Sequence, residues 1–126
     1  MSASNSTTHA DSLTHHHATI NGIQTHYVEQ GSGIPIILCH GFPHTWYSWH
    51  RQIPAIAAAG FRVVVPDMRG MGETDAPADP NEYGLPQINA DLIGLLDHIG
   101  EKKAIFAGLD FGVFAIYDLA LMHPEK

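Results

Sequence analysis

Alternating hydrophobic and polar positions follow a polar start and mark the first patterned part of the chain. Residues 16–20 and 23–29 each alternate in this way, as strands with one buried face do. Between them, Asn21 and Gly22 form a pair that tolerates positive φ and is typical of a tight hairpin turn. The pattern therefore predicts an antiparallel hairpin, which ends at the glycine-rich residues 31–33.

The hydrophobic pattern then changes to continuous apolar runs, which are typical of strands buried on both faces. Three such runs occupy residues 34–39, 62–65 and 103–107. Apolar residues at helical spacing follow each run: Trp46, Trp49, Ile53 and Ile56; then Ile88, Leu92, Leu95, Leu96 and Ile99; then Val113, Ile116, Tyr117, Ala120 and Leu121. Pro54 and Pro86 are predicted to begin helical segments, and Gly60 and Gly100 to end them.

This order, a hairpin followed by three strand–helix units, predicts an α/β fold. Such units build a parallel sheet through right-handed crossovers, with helices on both faces. Residues 1–14 are polar and rich in Ser and Thr, so we expect a disordered tail there. Residues 15–126 would then form one α/β domain.

Charge and composition narrow the classes of function. The net charge is −7 and no basic cluster is longer than Lys102-Lys103, so nucleic acid is not an expected partner. No apolar run approaches the ~20 residues of a membrane helix, and the first residues lack the basic start and apolar core of a secretory signal. We therefore expect a cytoplasmic protein that does not contact membranes. Its single cysteine, Cys39, is expected to be a buried, unpaired thiol.

The five residues Gly108-Leu109-Asp110-Phe111-Gly112 lie where the alternation predicts a turn from strand to helix. Small residues at both ends let the backbone fold back, so Asp110 projects above the sheet as in a nucleophile elbow. A carboxylate is ionised at neutral pH and attacks alkyl carbon without a general base. Asp110 is therefore the candidate nucleophile, and epoxides or alkyl halides are the expected small-molecule substrates.

A second motif, His40-Gly41-Phe42-Pro43, directly follows the first buried run. A turn here would aim the Phe42 N–H into the same pocket as the Phe111 N–H. Two such amides form an oxyanion hole, which would stabilise the attack of water on an ester of Asp110. We expect His40 to hold this turn by bonding to the backbone.

A long loop is predicted over residues 66–84. We expect charges of Asp67, Arg69 and Asp75 to fix this loop through an ion pair. The glycine pair that starts at Gly70 lacks the third glycine and the helix of a dinucleotide-binding motif, so no cofactor is expected. The histidine run at residues 15–17 passes directly into a strand, and neither a spaced Cys nor a Glu accompanies it, so no metal is expected either.

Taken in order, three motifs resemble those of the epoxide hydrolases of the α/β-hydrolase fold. They occupy residues 40–43, 66–72 and 108–112, and the similarity extends over about residues 16–126. The resemblance implies an α/β-hydrolase fold, Asp110 as nucleophile, and the Phe42 and Phe111 amides as oxyanion donors. Haloalkane and haloacid dehalogenases of the same fold are the alternative, although Phe111 offers neither the arginine nor the tryptophan that they place after the nucleophile.

The chain departs from the family at two points. Leu109 stands where the family usually has histidine. The family's lid with its two tyrosines, its later acid and its base histidine have no counterpart before Lys126. We therefore expect the N-terminal portion of a hydrolase domain, which alone would not turn over. A non-catalytic fragment that self-associates or needs a complementing chain is the alternative from another class.

Overall fold

The computed structural model describes residues 12–126. The first 11 residues of the predicted tail lie outside the described residues. The strands are β1 (Thr14–Ile20), β2 (Ile23–Gln30), β3 (Ile34–Cys39), β4 (Phe61–Pro66) and β5 (Ile105–Gly108). The α-helices are α1 (Gln52–Ala58), α2 (Leu85–His98) and α3 (Phe111–Met122), and two short 3-10 helices span Trp46–Trp49 and Pro80–Tyr83.

The five strands form one mixed sheet in the order β1-β2-β4-β3-β5. β1 and β2 are the predicted antiparallel hairpin, and their turn places Asn21 and Gly22 at positive φ of 52° and 79°. β3 runs parallel to both β4 and β5, with Ile36 paired to Val63 on one side and to Ile105 on the other. The predicted α/β class, with a hairpin that leads into parallel strands, is confirmed.

Helices cover both faces of the sheet because the strands are apolar on both faces. On one face, Ile37, Cys39 and Val64 pack against α2 and α3. On the other face, Leu38, Val63 and Val65 pack against α1 and the 3-10 helix Trp46–Trp49. The carboxyl ends of β3 and β5 consequently lie next to each other at one edge of a packed core, which fixes the loops that follow them.

Several boundaries differ from those that the pattern predicts. β1 already begins at Thr14, inside the predicted tail, because it pairs along its whole length with β2. β5 is shifted toward its carboxyl end, and Lys103 precedes it. α1 begins at Gln52, so Pro54 lies in its first turn rather than at its start. Proline is tolerated there because the first N–H groups of a helix have no partner within the helix.

The face that α3 turns to the sheet also differs from the predicted one. Ala115 and Leu119 are buried, whereas Val113, Tyr117 and Leu121 are more than half exposed. α3 is apolar on almost every face, with Asp118 as its only charged residue, so its periodicity could not select the packed face. β5 beside it is an edge strand of the sheet, so α3 and β5 together present an apolar surface. Among the described residues, every helix is too short or too polar to span a bilayer.

We predict that the 126-residue chain associates through this surface. Large apolar side chains exposed together favour contact between molecules. Sedimentation velocity should show a mass that rises with protein concentration. The double variant Phe114→Lys/Leu121→Lys should remain monomeric at concentrations about tenfold higher. Leu13→Lys, at the opposite edge of the sheet, is the control and should associate like the wild type. A monomeric wild-type chain would contradict the prediction.

Candidate active site

Asp110 occupies the turn between β5 and α3 in a backbone conformation that few residues adopt. Its φ is 51° and its ψ is −118°, and only Asn21 shares a positive φ among the described non-glycine residues. Such a conformation costs roughly 1–3 kcal/mol and persists only where the surroundings enforce it. The Leu109 N–H donates to the Cys39 carbonyl at 3.0 Å, and the Gly112 N–H donates to Leu109 at 2.8 Å. These bonds hold the turn against the end of β3.

Gly108 and Gly112 allow the close approach on which this turn depends. A Cβ on Gly112 would lie 2.5 Å from the Cys39 carbonyl oxygen, and one on Gly108 would lie 2.7 Å from the carbonyl carbon of Gly112. Both neighbours are backbone atoms and cannot move aside. Cys39 itself is fully buried beneath the turn, and burial raises the pKa of its thiol to about 12. The predicted buried thiol is confirmed.

The loop after β3 lies directly against Asp110. A Cβ on Gly41 would be 2.5 Å from the Asp110 Cβ and 2.9 Å from its Oδ2. Only glycine leaves room for the carboxylate here. Within residues 12–126, no hydrogen bond engages the N–H of Phe42 or of Phe111. Pro43 follows Phe42 through a cis peptide bond, and the loop closes with a bond from the His44 N–H to Gly41.

His40 is buried and bonds to the backbone through both ring nitrogens. Nε2 accepts from the Met68 N–H at 2.8 Å, so Nδ1 carries the proton and donates to the Gly41 carbonyl at 2.8 Å. Burial lowers the pKa of His40 because a charged imidazole would lose its hydration. The neutral ring thus joins the loop after β3 to the loop after β4.

A second buried side chain, Asp67, holds the same two loops. Its Oδ1 accepts from the Trp46 N–H at 2.8 Å, and its Oδ2 accepts from the Glu73 N–H at 3.0 Å and from His26 Nδ1 at 2.7 Å. The sequence predicted that Arg69 pairs with an aspartate of its own loop, Asp67 or Asp75, and this prediction is wrong. Arg69 instead binds Asp91 of α2 through two nitrogens, each at 2.8 Å.

Asp110 and Leu109 line one end of an open groove of about 730 Å³. The opposite wall comes from the loop and 3-10 helix after β3, with Tyr47, His50 and Arg51 among its side chains. The rings of Tyr47 and His50 stack at 3.8 Å, and His50 Nδ1 bonds to the Tyr47 carbonyl. Sequence reasoning did not predict these wall residues. The signal that could have identified them is a short segment after the first buried strand that carries several polar and aromatic side chains.

Phe42 and Phe111 meet on the other side of the turn. They line a hollow of about 290 Å³ together with Met71 and Tyr83 of the loop after β4. Phe42 is 67% exposed, which is unusual for an aromatic residue beside a core. The structure therefore brings together the loops that carry all the candidate residues, with a mostly apolar hollow on one side and a groove with polar groups on the other.

The family model for the alpha/beta hydrolase fold matches residues 34–126. The chain belongs to this family. The matched segment runs from the start of β3 to the end of the chain and contains both loops of the site.

Three proteins with known names resemble the chain over part of their length. Bifunctional epoxide hydrolase 2 of Sus scrofa is 44% identical over 115 residues, which are 90% of this chain and 21% of that protein. An epoxide hydrolase of Caballeronia sordidicola is 47% identical over 84% of this chain and 32% of its own length. The crystal structure of epoxide hydrolase VrEH1 from Vigna radiata superposes with a TM-score of 0.88 and 37% identity, over 90% of this chain and 36% of that one. The chain thus spans about a third or less of the length of these three relatives.

Acidification should weaken the fold through His40. Its pKa is lowered in the folded state, so the unfolded chain binds the proton more readily, and stability falls as the pH drops below about 6.5. One such proton contributes a slope of up to about 1.4 kcal/mol per pH unit. Urea titrations between pH 5 and 8 should show a shallower slope in His40→Gln than in the wild type. His98→Gln, an exposed control, should keep the slope; an unchanged slope in His40→Gln would contradict the assignment.

Replacing Asp110 by glycine should stabilise the fold. Glycine adopts positive φ without strain. We expect the free energy gained by removing the strain to exceed the entropic cost of ordering glycine by about 1 kcal/mol. Asp97→Gly, in the last turn of α2 and at negative φ, is the control and should lower stability by about 0.5 kcal/mol. Chemical denaturation measures both variants. A loss of stability in Asp110→Gly equal to that in Asp97→Gly would mean that the turn stores no strain.

Proposed function

We propose that the chain carries the nucleophile half of an epoxide hydrolase site and that Asp110 is the nucleophile. The observation that supports this most is the position of Asp110, held at positive φ on a turn between strand and helix and backed by Gly41. The N-terminus of α3 lies next to the carboxylate, and its dipole favours negative charge. The relatives named as epoxide hydrolases support the choice of electrophile.

In the first step, a carboxylate oxygen of Asp110 attacks an epoxide carbon. A C–O bond of the three-membered ring breaks as the ester bond forms, and the released alkoxide takes a proton from an acid or from water. In the second step, water attacks the carboxyl carbon of this ester. The N–H groups of Phe42 and Phe111 would then donate to the oxyanion, and collapse of the intermediate would release a diol and restore Asp110.

The choice between an epoxide and an alkyl halide depends on the surroundings of the leaving group. A halide leaves as an anion and needs a donor such as an indole or guanidinium. Phe111 follows the nucleophile and offers neither, and Phe42 beside it is equally apolar. An epoxide keeps its leaving oxygen on the product, so a halide-binding group is unnecessary. We therefore favour the epoxide.

A non-catalytic role with a complementing chain is the second candidate. The exposed apolar side chains of α3 and the edge position of β5 favour it, because both lie where further structure would pack. In that case the Asp110 turn would position a partner rather than react, and the carboxylate would be inert toward electrophiles.

We predict that styrene oxide alkylates the 126-residue chain once, at Asp110. Intact-mass spectrometry should show one adduct, and peptide mapping should place it on residues 108–112. Asp110→Asn should form this adduct at least about 100-fold more slowly, because a neutral amide is a poor nucleophile. Asp97→Asn is the matched control on α2 and should react like the wild type.

Three results would count against this function. Equal alkylation of the wild type and Asp110→Asn would show that the turn does not activate the carboxylate. Release of halide from 1-bromobutane, with no adduct from styrene oxide, would favour the dehalogenase alternative. No reaction with either reagent would favour the non-catalytic role.

A further inference from the structure

Two histidines of the β1–β2 hairpin and a glutamate of the loop after β4 lie close together. None of them belongs to the Asp110 turn. His17 of β1 pairs with His26 of β2, so their side chains share one face of the sheet. Glu73, in the loop after β4, reaches the same point, and its Oε1 lies 2.7 Å from His17 Nε2. One ligand atom from each of the three side chains lies within 4.8 Å of the other two.

Asp67 orients the buried member of this group. His26 and Asp67 are both almost fully buried, and His26 Nδ1 lies 2.7 Å from Asp67 Oδ2. A carboxylate oxygen only accepts, so Nδ1 carries the proton and the lone pair of the neutral ring is on Nε2. A carboxylate that holds the far nitrogen of a histidine in this way is the usual companion of a metal-binding imidazole.

A third histidine, His15, contacts His26 Nε2 and is itself a potential ligand. His15 Nδ1 lies 2.9 Å away, and His15 is two residues before His17 on the same face of β1. His17 and Glu73 are 47% and 63% exposed, so an ion could reach the group from solvent.

We propose that His17, His26 and Glu73 bind a zinc ion, with Asp67 orienting His26 and with His15 or water as the fourth ligand. Imidazole nitrogens with one carboxylate suit Zn²⁺ better than Mg²⁺ or Ca²⁺, which prefer oxygen ligands alone. Ligand atoms around tetrahedral zinc lie about 3.3 Å apart. His17 and Glu73 therefore need to separate by a fraction of an ångström, and the ligand atoms that lie up to 4.8 Å apart need to approach one another.

This ion would be structural. It would tie the β1–β2 hairpin to the loop that holds Asp67 and Glu73, and it requires no part of the epoxide chemistry. Sequence reasoning expected no metal because no Glu accompanies the histidine run. Glu73 lies 56 residues from His17 along the chain, and only the fold brings them together.

Calorimetric titration of the EDTA-treated 126-residue chain with zinc chloride tests the proposal. The wild type should bind one ion with a Kd in the micromolar range or below, and its melting temperature should rise with zinc. His17→Ala and Glu73→Gln change exposed side chains, so they should fold normally yet bind zinc at least about 30-fold more weakly.

His16→Ala is the matched control. His16 lies in the same run but on the opposite face of β1, where its ring stacks on Tyr27 at 4.8 Å. This variant should bind zinc like the wild type. Equal losses in His16→Ala and His17→Ala would show that the histidine run binds zinc without the folded site. Absence of binding by the wild type, or unchanged binding by His17→Ala and Glu73→Gln, would overturn the proposal.

Discussion

The Asp67 carboxylate is the interaction on which the arrangement of the site depends. It is 2% exposed, and its two oxygens accept from groups in three separate segments: β2, the start of the 3-10 helix Trp46–Trp49 and the loop after β4. A buried carboxylate is costly unless each oxygen is bonded, so these segments cannot move apart independently. Gly72 is necessary for the same reason, since a Cβ there would lie 2.3 Å from Asp67 Oδ2.

Strain at one turn is sustained by rigidity elsewhere. The Asp110 turn is hydrogen bonded to the last residue of β3, a strand buried between two parallel neighbours. The loop after β3 is in turn fixed through His40 to Met68 and through Trp46 to Asp67. The less favourable conformation of Asp110 thus persists because relaxing it would disturb the centre of the sheet.

Local patterns were sufficient to predict the strands, the hairpin, the fold class and the place of the Asp110 turn. Each of these depends on neighbouring residues, such as the Asn21-Gly22 pair or the continuous run that became β3. Contacts between distant segments were beyond such patterns. Arg69 bonds to Asp91 on α2, and His26 bonds to Asp67, because the fold places these distant parts of the chain side by side. The packed face of α3 could not be predicted either, since almost all its residues are apolar.

Because Cys39 is buried, the reactivity of its thiol reports local unfolding of the structure around β3. The chain has a single thiol, it lies in the central part of the sheet, and it is 0% exposed. Thiolate is the reactive form, so the raised pKa of about 12 suppresses the chemistry of the thiol in the folded state, in addition to the lack of access. A thiol reagent therefore reacts only when the packing of α2 and α3 against β3 opens. The speed of that modification measures how often this part of the sheet comes apart.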